Sequence, residues 1–280
     1  MLKICHIQKS FRNNHVLKDI SFSVEQGEIV ALLGNNGAGK TTIINCILKM
    51  MKPDNGSILF SEKDIYKIPN KAYFSDVSAL LESSINIYDY LTGRQNIEYF
   101  AGLSKTRSER HQKIWHYVDQ FGLTSHIDKL AGEYSRGMQQ KLALVIALIP
   151  APKLILLDEP TLGLDIKSKL SVIKLLQTIA EEEHISVILT THQMDVVEKL
   201  GSRILLLKDG YISEFSPTSE KQDSYIITYI KNERIVSETV QAKFDEIYHQ
   251  YHEYEILEIK HSKRDLEKCI MEVLDEPSQS

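Results

Sequence analysis

The chain predicts an α/β fold with a helical insertion and a small α+β extension after it. Three observations predict this. An apolar run, Ile29–Leu33, leads into the loop Gly34-Asn35-Asn36-Gly37-Ala38-Gly39-Lys40-Thr41 and then into a helix-like run over 42–51. Strand-like and helix-like runs alternate again from residue 154, after a polar, helical stretch between about 91 and 148. Composition shifts at Ser216-Pro217-Thr218-Ser219-Glu220. Residues 218–280 carry 8 basic and 14 acidic side chains, which leaves about +1 of the total −5 for residues 1–217.

Each element has its own signal. Residues 3–11 and 17–25 read as strands that alternate, and the strand 57–60 follows the turn Pro53-Asp54-Asn55-Gly56. The unbroken run Ile29–Leu33 suits a strand covered on both faces of a parallel sheet. Residues 96–101, 108–121 and 138–148 have helical spacing, with Gly102, Gly122 and Gly132 as breaks. Beyond them follow a strand over 154–157, a helix over 166–183, a strand over 187–190 and a helix over 194–200. A hairpin of 204–207 and 211–215 closes this part around Asp209-Gly210. The extension reads ββαβα: strands over 225–230 and 234–240 about a turn at Asn232, a helix over 242–252, a strand over 254–259 and a helix over 265–274. The expected domains are 1–217, with a helical subdomain over about 86–150, and an accessory domain over 218–280.

Bulk composition narrows the function classes. An apolar fraction of 42% supports a buried core. No apolar run approaches the roughly 18–20 residues that span a bilayer. Met1-Leu2-Lys3-Ile4-Cys5 lacks the apolar core of a signal peptide. Cys5, Cys46 and Cys269 form no C-x-x-C pair, which predicts free, mostly buried thiols in a reducing cytoplasm. With 33 basic and 38 acidic residues, the chain carries no electrostatic footprint for nucleic acid.

The chemistry begins at the glycine loop, which matches G-x-x-x-x-G-K-[ST] between a strand and a helix. Glycines let backbone N–H groups turn inward on a triphosphate, and the following helix presents its positive end. Lys40 supplies a mobile charge for the β- and γ-phosphates, and the Thr41 hydroxyl is a hard oxygen suited to Mg²⁺. Thr42 continues the same binding stretch. Phosphoryl transfer also needs a carboxylate to support the metal and a group to handle the attacking water. Leu154-Ile155-Leu156-Leu157-Asp158-Glu159 offers both: Asp158 for the metal and Glu159 for the water. A second helix start, Tyr134-Ser135-Arg136-Gly137-Met138-Gln139-Gln140, is another potential anion-binding end.

With these residues in order, the chain resembles an ABC-transporter ATPase subunit over residues 1 to about 217. Gly34–Thr41 resembles the Walker A loop, 134–140 the family signature and 154–159 the Walker B strand. Gly163-Leu164-Asp165 resembles the D-loop, and Thr191-His192 the switch histidine that contacts the γ-phosphate. The resemblance implies a P-loop NTPase core of ABC type, with an antiparallel β subdomain and a helical insertion. It implies ATP as the nucleotide, Phe11 as the aromatic that stacks on adenine, and Mg²⁺ as cofactor. It also implies a head-to-tail pair of ATPase subunits, homodimer or heterodimer, in which Ser135 and Gly137 complete the partner's site. A transmembrane permease would be the second partner, placing the chain on the inner face of the cell membrane. The helical insertion, with Ile87-Tyr88-Asp89-Tyr90-Leu91, either receives that permease or packs those aromatics internally.

Two positions depart from the family pattern. The signature reads Tyr-Ser-Arg-Gly-Met where Leu-Ser-Gly-Gly-Gln is commonest, so Arg136 replaces a glycine and Met138 a glutamine. Near 79–84 there is no glutamine for the Q-loop, and Glu82 is the nearest metal-facing counterpart. Such variants resemble the bacterial drug- and peptide-exporter branch, including bacitracin-resistance-like and sodium-extrusion-like ATPases, which implies export of a peptide, drug or other hydrophobic compound. The competing readings are a soluble ABC ATPase acting on ribosome or DNA, and a nucleotide-sensing regulatory module. Residues 218–280 fit ligand sensing, dimer stabilisation or partner docking alike. His249 and His252 are assigned no metal.

Overall fold

Apolar runs of two kinds, broken and continuous, divide the strands of this chain between two halves of one sheet. The computed structural model describes residues 1–12, 14–81, 87–104, 108–215, 224–232, 234–241, 247, 250–262 and 266–275. It separates into two compact units, Met1–Phe215 and Ser216–Ser280.

The first unit opens with an antiparallel pair, β1 (Leu2–Phe11) and β2 (Asn14–Val24). The expected alternation does not run through. Leu2 and Ile4 point inward, His6 adopts φ 48°, and the next buried residue is Ile7. The pairing shifts register between Ile4 and Ile7, as a β-bulge does. β3 (Ile29–Leu33) leads to the helix α1 (Lys40–Ile47), and β4 (Asn55–Phe60) returns to pair with β1. β5 (Lys63–Asp64), α2 (Asn70–Asp76) and β6 (Val77–Leu80) come next. These three have no counterpart in the sequence reading. They are short, and Ser75, Asp76 and Ser78 interrupt any apolar period.

The insertion follows, with α3 (Gly93–Leu103), α4 (Ser108–Gln120) and α5 (Arg136–Leu148). Thr92 and Gln95 cap the start of α3 reciprocally. One turn in, fully buried Asn96 ties down the preceding loop. Its amide oxygen accepts from the Tyr88 N–H at 2.7 Å, and its amide nitrogen donates to the Tyr88 and Thr92 carbonyls at 3.0 Å each. The chain then alternates: β7 (Leu154–Asp158), α6 (Ile166–Glu181), β8 (Ser186–Thr190), α7 (Met194–Leu200), β9 (Arg203–Lys208) and β10 (Tyr211–Phe215). Helix α6 stops at Glu181, not at residue 183. Glu183 instead accepts the Tyr117 hydroxyl and pairs with Lys113 at 3.3 Å, joining α4 to the core.

All ten strands form one sheet in the order β5-β4-β1-β2-β10-β9-β3-β8-β7-β6. The β9-β3-β8-β7-β6 half is parallel, and its central strands are buried almost throughout. Full burial of each Leu or Ile there contributes about 1.5–3 kcal/mol. No helix among the described residues is long and apolar enough to cross a membrane.

The second unit contains β11 (Ser224–Lys231), β12 (Arg234–Gln241) and β13 (Glu255–Ser262), antiparallel in the order β12-β11-β13. Its core includes Tyr225, Ile227, Tyr229, Ile247 and Tyr251. Glu238 accepts from the Tyr229 hydroxyl at 3.0 Å and from that of Tyr251 at 2.6 Å. Asn232 takes φ 51° in the β11–β12 turn. Helix α8 (Leu266–Asp275) buries Leu266, Ile270 and Leu274, one turn apart. Of the helix expected over 242–252, residues 242–246, 248 and 249 lie outside the described residues; Ile247 and Gln250 are helical.

The thiols differ from expectation, since Cys46 is buried while Cys5 and Cys269 are only half-buried. Burial pushes the Cys46 thiol up to about 11, against a smaller opposing effect of Lys9. A thiol reagent at pH 8 is therefore expected to modify at most two cysteines in the native protein. The third should react only after denaturation; a native count of three would contradict the packing around α1.

Candidate active site

The site is built where β3, β7 and β8 end together. Their parallel register pairs Leu32 with Thr190 and Thr190 with Asp158, so the three residues form one row. Just past this row lie the glycine loop, Glu159 and His192.

The loop needs its glycines for physical reasons. A Cβ on Gly34 would sit 2.4 Å from the Leu207 carbonyl oxygen. Gly39 takes φ 110°, and a Cβ there would come within 2.9 Å of both Val16 and Leu17. As the N-cap of α1, Gly39 has no side chain to cap the first-turn N–H groups. Between them, Asn35, Asn36 and Gly37 are exposed, and the Ala38 N–H donates to the Asn35 carbonyl at 3.0 Å. Thr41 and Thr42 stand in the first turn of α1. Lys40 folds back along the loop, its ammonium 2.7 Å from the Gly34 carbonyl and 3.2 Å from that of Asn35. Burial lowers the Lys40 pKa, while the negative charges of Glu159 and Asp158 act to raise it. The two halves of the site thus feel each other electrostatically.

Across the row, Asp158 Oδ1 accepts a hydrogen bond from the Thr190 hydroxyl. Glu159 has φ 50°, a left-handed conformation that costs a non-glycine residue about 1–2 kcal/mol. Its N–H donates to the Thr190 carbonyl at 3.1 Å and to Thr190 Oγ1 at 3.3 Å. One Glu159 oxygen, Oε1, lies 2.9 Å from His192 Nδ1. The other, Oε2, is buried without a hydrogen-bond partner among the described residues. The Glu159 side chain is 11% exposed and that of His192 66%.

The remaining candidates sit elsewhere. Phe11 closes the β1–β2 hairpin, opposite Asn14, and is 43% exposed. Ser135 caps α5, its hydroxyl accepting from the Met138 N–H at 3.3 Å. Gly137 is buried against Ser168 of α6. No hydrogen bond or ion pair joins Ser135 or Gly137 to the glycine loop of the same chain among the described residues. Two of the departing signature residues have local partners, and nothing in the structure explains Met138. Tyr134 is buried and donates its hydroxyl to the His126 carbonyl at 2.8 Å; the Arg136 guanidinium lies against Gly163. Glu82 lies outside the described residues.

Sequence reasoning missed Thr190 and the link from Thr161 to Gln193, 3.0 Å long. The one available signal was a threonine pair, Thr190-Thr191, ending an otherwise apolar strand.

A glycine loop at the end of a buried parallel strand, with two carboxylates ending the strand one place beyond its neighbour, defines a nucleoside-triphosphate-hydrolysing class. Residues 17–162, over half the chain, match the family model described as ABC transporter. The chain is 32% identical over 225 residues to the SkfA peptide export ATP-binding protein SkfE of Bacillus subtilis, covering 79% of this chain and 92% of that one. It is 31% identical over 224 residues to the ABC transporter ATP-binding protein NatA of the same organism (79% and 90%). It is 29% identical over 258 residues to the spermidine/putrescine import ATP-binding protein PotA of Mycoplasma mycoides (88% and 72%). Among solved structures, the dimeric post-hydrolysis ATP-binding cassette MJ0796, bound to ADP and Pi, superposes with TM-score 0.68 at 26% identity, covering 79% of this chain and all of that one. The structure of cbiO1 from Clostridium perfringens, part of the complex cbiONQ, gives 0.69 at 26% identity (76% and 86%).

The chain belongs to the ABC transporter family. Within it, the chain is an ATP-binding subunit and an ATP-hydrolysing enzyme.

The loop geometry yields a direct test. Gly39→Ala should leave thermal stability within a few degrees while weakening ATP binding about tenfold or more by calorimetry, because the strained turn costs roughly 1–2 kcal/mol. Unchanged affinity would show that this turn does not shape the binding loop.

Proposed function

We propose that the chain is one of a pair of ATPase subunits, homodimeric or heterodimeric, driving a separate transmembrane permease from the cytoplasmic face of the membrane. The transport direction is export, and the cargo is a peptide, drug or other hydrophobic compound. The observation that carries the hydrolytic reading is Glu159 Oε2, a buried carboxylate oxygen without a hydrogen-bond partner among the described residues, with the glycine loop's lysine in electrostatic reach. A buried acceptor of this kind is matched by a water whose proton it can take.

The donor set fits ATP with Mg²⁺. Gly34, Asn35, Asn36, Gly37, Ala38 and Gly39 form the backbone cradle, Lys40 meets the β- and γ-phosphates, and Thr42 extends the binding turn. The hydroxyl of Thr41 and the carboxylate of Asp158 are hard oxygens of the type Mg²⁺ selects. Bound there, Mg²⁺ supplies charge neutralisation at the phosphates during transfer. Glu159 receives the proton of the attacking water. His192, hydrogen-bonded to Glu159 Oε1 through Nδ1, orients that carboxylate, and with both ring nitrogens carrying protons its Nε2 would donate to the γ-phosphate. Phe11, exposed at its hairpin, offers a stacking face for adenine. Ser135 and Gly137 serve the partner's nucleotide, in keeping with the dimer of MJ0796. Glu82 enters from sequence position alone.

For the permease, support comes from the insertion. Tyr88, Tyr90, Tyr99 and Phe100 form a cluster of ring contacts, with Tyr90 73% exposed, Tyr99 45% and nearby Leu103 64%. Exposed aromatics on the loop anchored by Asn96 and on the adjoining helix α3 suit a partner interface. Export is supported by the exporter-like signature and by the likeness to SkfE, named for peptide export. PotA, a relative named for import, makes direction the point to test.

Glu159→Gln should lower turnover about 10²–10⁴-fold while ATP-dependent dimers persist in size-exclusion chromatography. Hydrolysis at the original rate would reject the role given to Glu159. With the permease reconstituted in vesicles, cargo should move away from the ATPase-bearing face; accumulation on that face would overturn export.

A further inference from the structure

Thr190 ends β8, whose five residues are all buried. Valine would fill such a position with a similar β-branched shape and no polar atom to satisfy. The hydroxyl here has two partners. It donates to Asp158 Oδ1 and accepts from the Glu159 N–H at 3.3 Å, and that same N–H reaches the Thr190 carbonyl at 3.1 Å. Thr190 is fully buried, so solvent does not compete for either bond. The β7–β8 register sets it directly beside Asp158.

These bonds act on the two carboxylate residues together. A donor on Oδ1 removes rotational freedom from the Asp158 side chain. The paired acceptors on the Glu159 N–H hold that residue in its left-handed conformation. Lys40, His192, Thr161 and Gln193 surround the same strand ends, yet among the described residues none of them has a bond to both Asp158 and Glu159.

We propose that Thr190 is a positioning residue for ATP hydrolysis, its buried hydroxyl locking Asp158 and the Glu159 backbone in the mutual orientation that metal binding and water activation require. Thr190 touches neither nucleotide nor metal and acts only through these two residues. The inference rests on the roles given to Asp158 and Glu159 above.

The test compares Thr190→Val and Thr190→Ser in the full chain. The first readout is binding, not turnover: calorimetric affinity for a non-hydrolysable ATP analogue, measured across a Mg²⁺ titration. Thr190→Val should raise the Mg²⁺ concentration for half-maximal tightening about tenfold, the scale expected when an outer-shell partner of a metal site is lost. In ATPase assays at saturating Mg²⁺, it should lower kcat about tenfold and leave KM within twofold. Thr190→Ser, which keeps the hydroxyl, should match the parent protein in both. If valine disturbs folding, Thr190→Ala against Thr190→Ser isolates the same hydroxyl. Equal Mg²⁺ dependence with and without the hydroxyl overturns the proposal. Asp158→Asn and Glu159→Gln are measured in parallel. If neither changes Mg²⁺ dependence or turnover, the underlying site reading fails; if both do and Thr190→Val does not, only the role of Thr190 fails.

Discussion

The register of three parallel strands is the constraint from which the site follows. Leu32, Thr190 and Asp158 share one row, and everything with chemical capacity leaves the sheet within a few residues of it. Slipping β7 by one residue would turn Asp158 to the other face of the sheet and withdraw it from Thr190. The slip is opposed by the burial of Leu154, Ile155, Leu156 and Leu157 beside the equally buried β8. The same apolar residues that stabilise the core therefore aim the carboxylates, with no separate scaffold for the site.

Within that core most buried polar groups have partners; among the described residues, two buried side-chain atoms, Glu159 Oε2 and Arg203 Nε, have none. Ser186 at the start of β8 donates to the Glu25 carbonyl at 2.8 Å and accepts from the Gly27 N–H at 3.0 Å. Thr190 at its end is bonded to both neighbours, and Asn96 is bonded on both sides of its amide. Arg203 is paired through its other guanidinium nitrogens, whereas Glu159 Oε2 is a carboxylate oxygen left open, on a residue whose backbone is also strained. Buried polar groups are almost always paired, so an unpaired carboxylate oxygen at the end of a parallel strand is where reactivity concentrates.

The signature region follows a different logic. Among the described residues no hydrogen bond ties it to the chain's own glycine loop, and two of its unusual residues have local partners. Tyr134 fills a buried slot with its hydroxyl bonded to the His126 carbonyl, and Arg136 covers Gly163. Family membership sets the order of these elements. The substitutions at Tyr134 and Arg136 are accommodated by contacts inside this chain.

Features whose physical cause is local were legible from residues alone. Gly34 and Gly39 announce a loop because only glycine fits it, and Ile29–Leu33 announces a covered strand because nothing in it tolerates water. The hairpin at Asp209-Gly210 follows from two residues able to take φ 51° and 82°. Roles for Phe11, Ser135, Gly137 and His192 came from family likeness, since one aromatic, one serine or one histidine has no periodicity to read. Strands such as β6, four residues long, stayed hidden because so short a run carries no period. The pairing of His192 with Glu159, 33 residues apart, and the position of Thr190 beside Asp158 depend on which strands lie side by side and at what offset. Those are long-range choices, made by the packing of the whole sheet and written in no single stretch of the chain.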